Sequence, residues 1–144
     1  MAFRYAAPVA HVLVVDDDAD SCEAMERYLT KVGHSVHCAR DGQRAMVALS
    51  EKMPDFILVD IRMPVMDGVA LVHVIRSYLR WGNIPIAVVT AYPEDPRLQH
   101  LAELGVRRVF RKSEFTFDDV SQWMAHVADP TPPHTDPPPP SVGA

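Results

Sequence analysis

Three observations predict an α/β fold built on a parallel sheet with helices on both faces. Short apolar runs alternate with stretches of helical spacing five times along the chain, which calls for right-handed crossovers between parallel strands. The central run, Phe56-Ile57-Leu58-Val59, is apolar without alternation, as expected of a strand buried on both faces. At 144 residues and 48% hydrophobic content, the chain is long enough for one domain with a real core and too short for two ordinary ones.

The first strand is His11-Val12-Leu13-Val14-Val15, running into Asp16-Asp17-Asp18-Ala19-Asp20. From Ser21 the spacing of Cys22, Met25, Leu29 and Val32 predicts a helix that stops at Gly33. His34 to Ala39 reads as a more polar strand at a sheet edge, and Asp41-Gly42 opens a second helix carrying Ala45, Met46, Ala48 and Leu49, closed before Pro54. After the central strand comes Asp60-Ile61-Arg62-Met63-Pro64-Val65-Met66-Asp67-Gly68, where Pro64 stops the strand and Gly68 permits a close approach that a side chain would block. Val69, Leu71, Val72, Val74, Ile75, Tyr78 and Leu79 form the stripe of a third helix ending near Trp81-Gly82. Ile84 to Thr90 is a fourth buried strand, Arg97 to Leu104 a short helix before Gly105, and Val106 to Arg111 a fifth strand that delivers Lys112. Phe117, Val120, Trp123, Met124 and Val127 give the last helix its apolar face.

The expected organisation is an N-terminal extension at 1–10, one domain at 11–128, and a proline-rich disordered tail at 129–144 holding seven of the 13 prolines. Nothing after Val127 is expected to fold into an output domain. A net charge of -5 argues against a general nucleic-acid binder. No run approaches membrane-spanning length and no apolar leader opens the chain, so a cytoplasmic protein is expected. Cys22 and Cys38 lack zinc spacing and read as two buried free thiols.

In open α/β sheets the ligand crevice lies beyond the carboxyl ends of the strands. Four strand ends deliver Asp16/Asp17, Asp60, Thr90 and Lys112 to that edge. Three carboxylates held together call for a cation, and Mg2+ prefers one or two carboxylates, waters and a phosphate oxygen. Lys112 and the Thr90 hydroxyl suit the remaining oxygens of a phosphoryl group, so the expected chemistry is phosphoryl transfer to Asp60 as in-line nucleophile.

From about Val12 to Val127 the chain resembles the receiver domain of two-component response regulators. The motifs are the acidic cluster after the first strand, Asp60-x-x-Met63-Pro64-x-Met66-Asp67-Gly68, the Thr90-Ala91 pair, and Lys112 after the fifth strand. The resemblance implies a flavodoxin-like, doubly wound (βα)5 sheet of order 2-1-3-4-5. It implies that Asp60 is phosphorylated by a sensor histidine kinase or phosphotransfer protein. It also implies that Asp17, Asp60 and the Arg62 backbone carbonyl bind Mg2+ directly, with Asp16 acting through water. Thr90 would swing toward the phosphate, Ala91 would donate its backbone N–H, and Lys112 would pair with the phosphate. Such a protein is no enzyme beyond its own phosphorylation and dephosphorylation. It would switch binding to a downstream protein, with a phosphorylation-linked homodimer as one outcome.

Three positions depart from the family's pattern. Ser113 follows Lys112 where proline is usual, so a trans bond is expected, a non-proline cis bond costing roughly 3 kcal/mol. Val109 stands where an aromatic switch residue is usual, with Phe110 one place later. Arg62 and Tyr92, two places beyond Asp60 and Thr90, flank the phosphate in the resembling fold, where bulk or charge hinders an attacking water and predicts an unusual dephosphorylation rate.

Blander roles stand beside these. Asp16 to Asp18 could cap the first helix, although Asp20 or Ser21 is placed to do so, and Asp67 suits a turn or helix cap. His34 and His37 lie near Cys38, but three residues apart on a strand they face opposite sides and read as structural. The basic run Arg107, Arg108 and Arg111 is either a solvated edge or, with Val109 and Phe110, an output surface. Two other functions stay open. Asp16-x-Asp18 after an apolar strand resembles the motif of haloacid-dehalogenase-type phosphatases, which need a later acidic pair where this chain has Thr90. A receiver-like adaptor that is never phosphorylated fits Ser113 and Val109, and it predicts partner binding unaffected by Asp60→Asn.

Overall fold

The computed structural model describes residues 9–128; most of the N-terminal extension and the proline-rich tail lie outside the described residues. Ten elements alternate: β1 (His11–Val15), α1 (Ala19–Lys31), β2 (Ser35–Ala39), α2 (Gly42–Glu51), β3 (Phe56–Val59), α3 (Gly68–Ser77), β4 (Ile86–Thr90), α4 (Leu98–Glu103), β5 (Arg108–Arg111) and α5 (Phe117–Ala128). The strands form one parallel sheet of order β2-β1-β3-β4-β5, as the sequence predicts.

Successive strand side chains point to opposite faces, so each face of the sheet collects its own core. Leu13, Val15, Ile57, Val59, Ile86 and Val88 pack with α2, α3 and α4 through Ala45, Leu49, Leu71, Ile75 and Leu101. On the other face Val12, Val14, Phe56, Leu58, Val89 and Phe110 meet Cys22, Met25 and Leu29 of α1 and Val120 and Met124 of α5. Every residue of β3 and β4 is buried, which explains their lack of alternation.

Several boundaries differ from expectation for local reasons. The fifth strand starts at Arg108, because Val106 donates its N–H to Leu101 and closes α4 through Gly105 at φ 82°. α3 ends at Ser77, leaving Tyr78 half-exposed and Leu79 fully exposed rather than on the apolar stripe. Trp81 takes the buried place instead, its N–H bonded to the Tyr78 carbonyl. The Arg76 guanidinium pins that turn, donating to the carbonyls of Leu104 and Ile84 at 2.8 Å each. Val32, at the C-terminal cap of α1, is likewise exposed. The cysteines are free, but only Cys22 is buried; Cys38 is half-buried because β2 is an edge strand.

Candidate functional site

Backbone pairing carries the chemistry-bearing residues one position past the strands. The Asp60 N–H donates to the Val15 carbonyl at 2.9 Å, that of Asp16 to Ala39 at 3.0 Å and that of Lys112 to Thr90 at 2.9 Å. Strand ends that are neighbours in the sheet therefore present their side chains at one edge. Gly68 allows this locally: its N–H donates to the Ile61 carbonyl at 3.0 Å, and a Cβ there would overlap the Asp60 carbonyl oxygen. α3 can start that close to β3 only with glycine at its first position.

One carboxylate oxygen from each of Asp16, Asp17 and Asp60 lies within 4.8 Å of the others. Asp16 and Asp60 are buried and Asp17 is exposed. Lys112 Nζ sits 2.8 Å from Asp16 Oδ2 and 3.0 Å from Asp60 Oδ2. Burial pushes the Asp16 carboxyl up from its ordinary value, against the pull of Lys112. Burial pulls the Lys112 ammonium down, but Asp16 and Asp60 outweigh it and leave its pKa raised. Two carboxylates facing one ammonium, with a third at the rim, leave net negative charge and oxygen donors suited to a hard divalent cation.

Thr90 is fully buried, its Oγ1 accepting the Tyr92 N–H at 3.0 Å, and Ala91 beside it is exposed. The Arg62 N–H donates to Asp60 Oδ1 at 3.4 Å. The capping residues resolve as Asp18 for α1, accepting from the Asp20 N–H at 3.0 Å, and Asp67 for α3, accepting from the Ala70 N–H at 2.9 Å. Asp18, rather than Asp20 or Ser21, thus takes the helix end and leaves Asp16 and Asp17 to the cluster. No cis peptide occurs among the described residues, and Lys112 reaches the carboxylates without proline at Ser113.

The expected output surface is corrected at Phe110, which is 2% exposed and packs against Phe115 and Trp123 in the α5-side core. On β5 its side chain points inward under α5, and the Arg108 guanidinium lies 4.6 Å over its ring. Arg107 and Arg108 are exposed, and Val109 is half-buried against the opposite core. His34 is buried, its Nδ1 accepting the Ala10 N–H at 3.2 Å, a structural role.

Sequence reasoning missed a group beside the cluster. Asp95 is buried in the β4–α4 loop and held by Arg97 through Nε at 3.2 Å and Nη2 at 3.0 Å. Hydrogen bonds from Arg97 hold the Asp95 carboxyl down at about 2. Arg97 also reaches Asp67 at 2.8 Å, 30 residues away in sequence. A separation that spans the α3 crossover and β4 leaves no local signal, and Pro96 marks only a loop ahead of the helix expected from Arg97.

A doubly wound parallel sheet with an acidic cluster and a lysine at its carboxyl edge defines a receiver-type α/β domain. Residues 12–122 match the model of the response regulator receiver domain, and the chain belongs to that family. It is 42% identical over 80 residues to the transcriptional regulatory protein PrrA of Mycobacterium tuberculosis, covering 56% of this chain and 34% of that protein. It is 34% identical over 124 residues to the transcription factor SKN7 of Candida albicans, covering 85% of this chain and 22% of that one. The chain thus spans about a third of PrrA's length and less of SKN7's. The structure of the Vibrio cholerae chemotaxis protein CheY4 superposes with a TM-score of 0.76 at 26% identity, covering 83% of this chain and 98% of that one. Family membership sets the haloacid-dehalogenase-type reading aside. Among the described residues no helix is long and apolar enough to cross a membrane.

Proposed function

We propose that the chain accepts a phosphoryl group on Asp60 from a sensor histidine kinase or phosphotransfer protein, and that the modification switches its binding to a downstream protein in the cytoplasm. The observation that carries this reading is the position of Lys112 Nζ, within 3.0 Å of both Asp16 and Asp60 at the carboxyl edge of the parallel sheet. A lone strand-ending aspartate needs no such partner.

Asp60 Oδ attacks phosphorus, and the bond from phosphorus to the donor atom breaks with its electron pair leaving on the donor. Lys112 then turns from Asp60 to a phosphoryl oxygen while keeping Asp16. The Thr90 hydroxyl, whose oxygen accepts the Tyr92 N–H in the unmodified chain, donates its proton to a second oxygen, and the exposed Ala91 N–H supplies another donor. Asp17, Asp60 and the Arg62 carbonyl would hold Mg2+, with Asp16 acting through water. When bound, that ion offsets the negative charge gathered at the site. Catalysis is confined to the chain's own phosphorylation and dephosphorylation. Exposed Arg107 and Arg108 with Val109 serve as the output surface, which a second phosphorylated copy can also use.

Incubation with acetyl phosphate and Mg2+, followed by intact mass measurement, tests the proposal. The wild-type chain gains one phosphoryl group, and Asp60→Asn gains none. A wild-type chain unmodified under these conditions, or an Asp60→Asn chain modified to the same extent, overturns it. Partner binding identical in wild type and Asp60→Asn would favour the adaptor instead.

A further inference from the structure

The loops that follow β3 and β4 are joined by charges that the acceptor chemistry does not use. Asp95 is 6% exposed, and Arg97 satisfies it from three donors: its backbone N–H to Oδ1 at 3.0 Å, Nε to Oδ1 at 3.2 Å, and Nη2 to Oδ2 at 3.0 Å. Nη1 of the same guanidinium reaches Asp67 Oδ2 at 2.8 Å, tying the loop to the cap of α3. Arg62 shares the same carboxylate, its Nε 3.5 Å from Asp95 Oδ2, with its guanidinium carbon 3.6 Å above the centre of the Tyr92 ring.

Two guanidinium groups thus share one buried carboxylate unequally. Arg97 makes hydrogen bonds of ordinary length, whereas the contact of Arg62 lies beyond that range and survives as an ion pair. The departure of Arg62 would leave Asp95 still neutralised by Arg97, so no unpaired buried charge opposes it. Arg62 is also half in solvent, its side chain 47% exposed. With Asp17 and Arg97 it lines a cleft of about 370 Å3 beside the acidic cluster.

A phosphoryl group on Asp60 would place a charge of about -1.5 to -2 and three strong acceptors next to that cleft. A guanidinium prefers such an oxyanion, which it can grip with two parallel N–H donors, to the face of an aromatic ring. We propose that Arg62 is a phosphoryl-responsive latch: parked on Tyr92 and Asp95 in the unmodified chain, it transfers to the phosphoryl group and uncovers the Tyr92 ring. Asp95 is the positioning residue that parks it, and Arg97 anchors Asp95. This rests on Asp60 as the phosphoryl acceptor.

The consequence is a newly open aromatic face. Tyr92, 41% exposed under its cover, becomes an open aromatic face beside the start of α4. Its N–H already donates to Thr90 Oγ1 at 3.0 Å, so the same residue feels both the hydroxyl and the arginine.

Hydroxyl-radical footprinting read by mass spectrometry, with acetyl phosphate and Mg2+ added or withheld, tests the latch. Intact mass reports in parallel whether the phosphoryl group is present. In the phosphorylated wild type, oxidation of Tyr92 rises by up to about two-fold, the ceiling set by a residue already 41% exposed, while half-exposed Tyr78 at the far end of α3 does not change. In Arg62→Ala, Tyr92 starts at the raised level and ignores phosphorylation. Asp95→Asn raises the starting level with Arg62 intact. A phosphorylated wild type with unchanged Tyr92 labelling overturns the latch and leaves the acceptor reading standing. So does an Arg62→Ala chain that starts at the wild-type level and still responds. A wild-type chain that gains no phosphoryl group overturns both.

Discussion

Lys112 reaches from the end of β5 to within 3.0 Å of Asp60, which closes β3 two strands away. The two residues are 52 positions apart and meet only because β4 lies between their strands. The same ammonium holds Asp16, so one cation stitches three strand ends together and offsets two buried carboxylates.

Lys112→Ala should therefore act in two opposed directions. Leaving Asp16 and Asp60 without their cation costs about 3 kcal/mol of folding stability in metal-free buffer, read from denaturant unfolding. The same loss strengthens Mg2+ binding, because a competing positive charge is gone. A titration showing weaker Mg2+ binding in this variant would contradict the electrostatic account of the site.

Val65 sits in the β3–α3 loop at φ 71°, where a β-branched side chain is strained, and it is 77% exposed. Nothing buried is lost on replacing it. Val65→Asn or Val65→Gly should raise stability by about 1 kcal/mol, since both residues tolerate the left-handed region. Thermal melts of the three chains decide this, and equal or lower stability in both variants would rule out strain at Val65.

Asp95 gives the acid limb of stability a specific origin. Its folded pKa of about 2 lies below the ordinary 3.8. A carboxyl depressed by folding contributes stability that is complete above the unfolded value and is lost as pH falls through the folded one. The wild type should lose that contribution between pH 3.8 and about 2, and Asp95→Asn should lose less over the same interval. Parallel acid-unfolding slopes for the two chains would show that Arg97 does not hold the Asp95 carboxyl in its charged form.

Local pattern made much of the architecture legible. Fully apolar runs marked β3 and β4, because a strand covered on both faces has no polar side to show. Gly33 and Gly105, both at positive φ, marked the ends of α1 and α4. The third helix is shorter than its spacing implies, since Tyr78 and Leu79 continue the pattern although the chain has already turned. Phe110 could be named as apolar from its letter, but only its place on β5 under α5 shows that it is core rather than surface.

Sequence by itself determined the kind of fold, the carboxylates and lysine at the strand ends, and the membership that follows from their order, because these depend on residue type and periodicity along one chain. Tertiary structure alone decided which charges touch: Lys112 bridging Asp16 and Asp60, and Arg97 joining Asp95 to Asp67 while Arg62 lies on Tyr92. The reason is physical. Strand register brings residues many tens of positions apart to one edge, and charge interactions are set by ångströms in space rather than by distance along the chain.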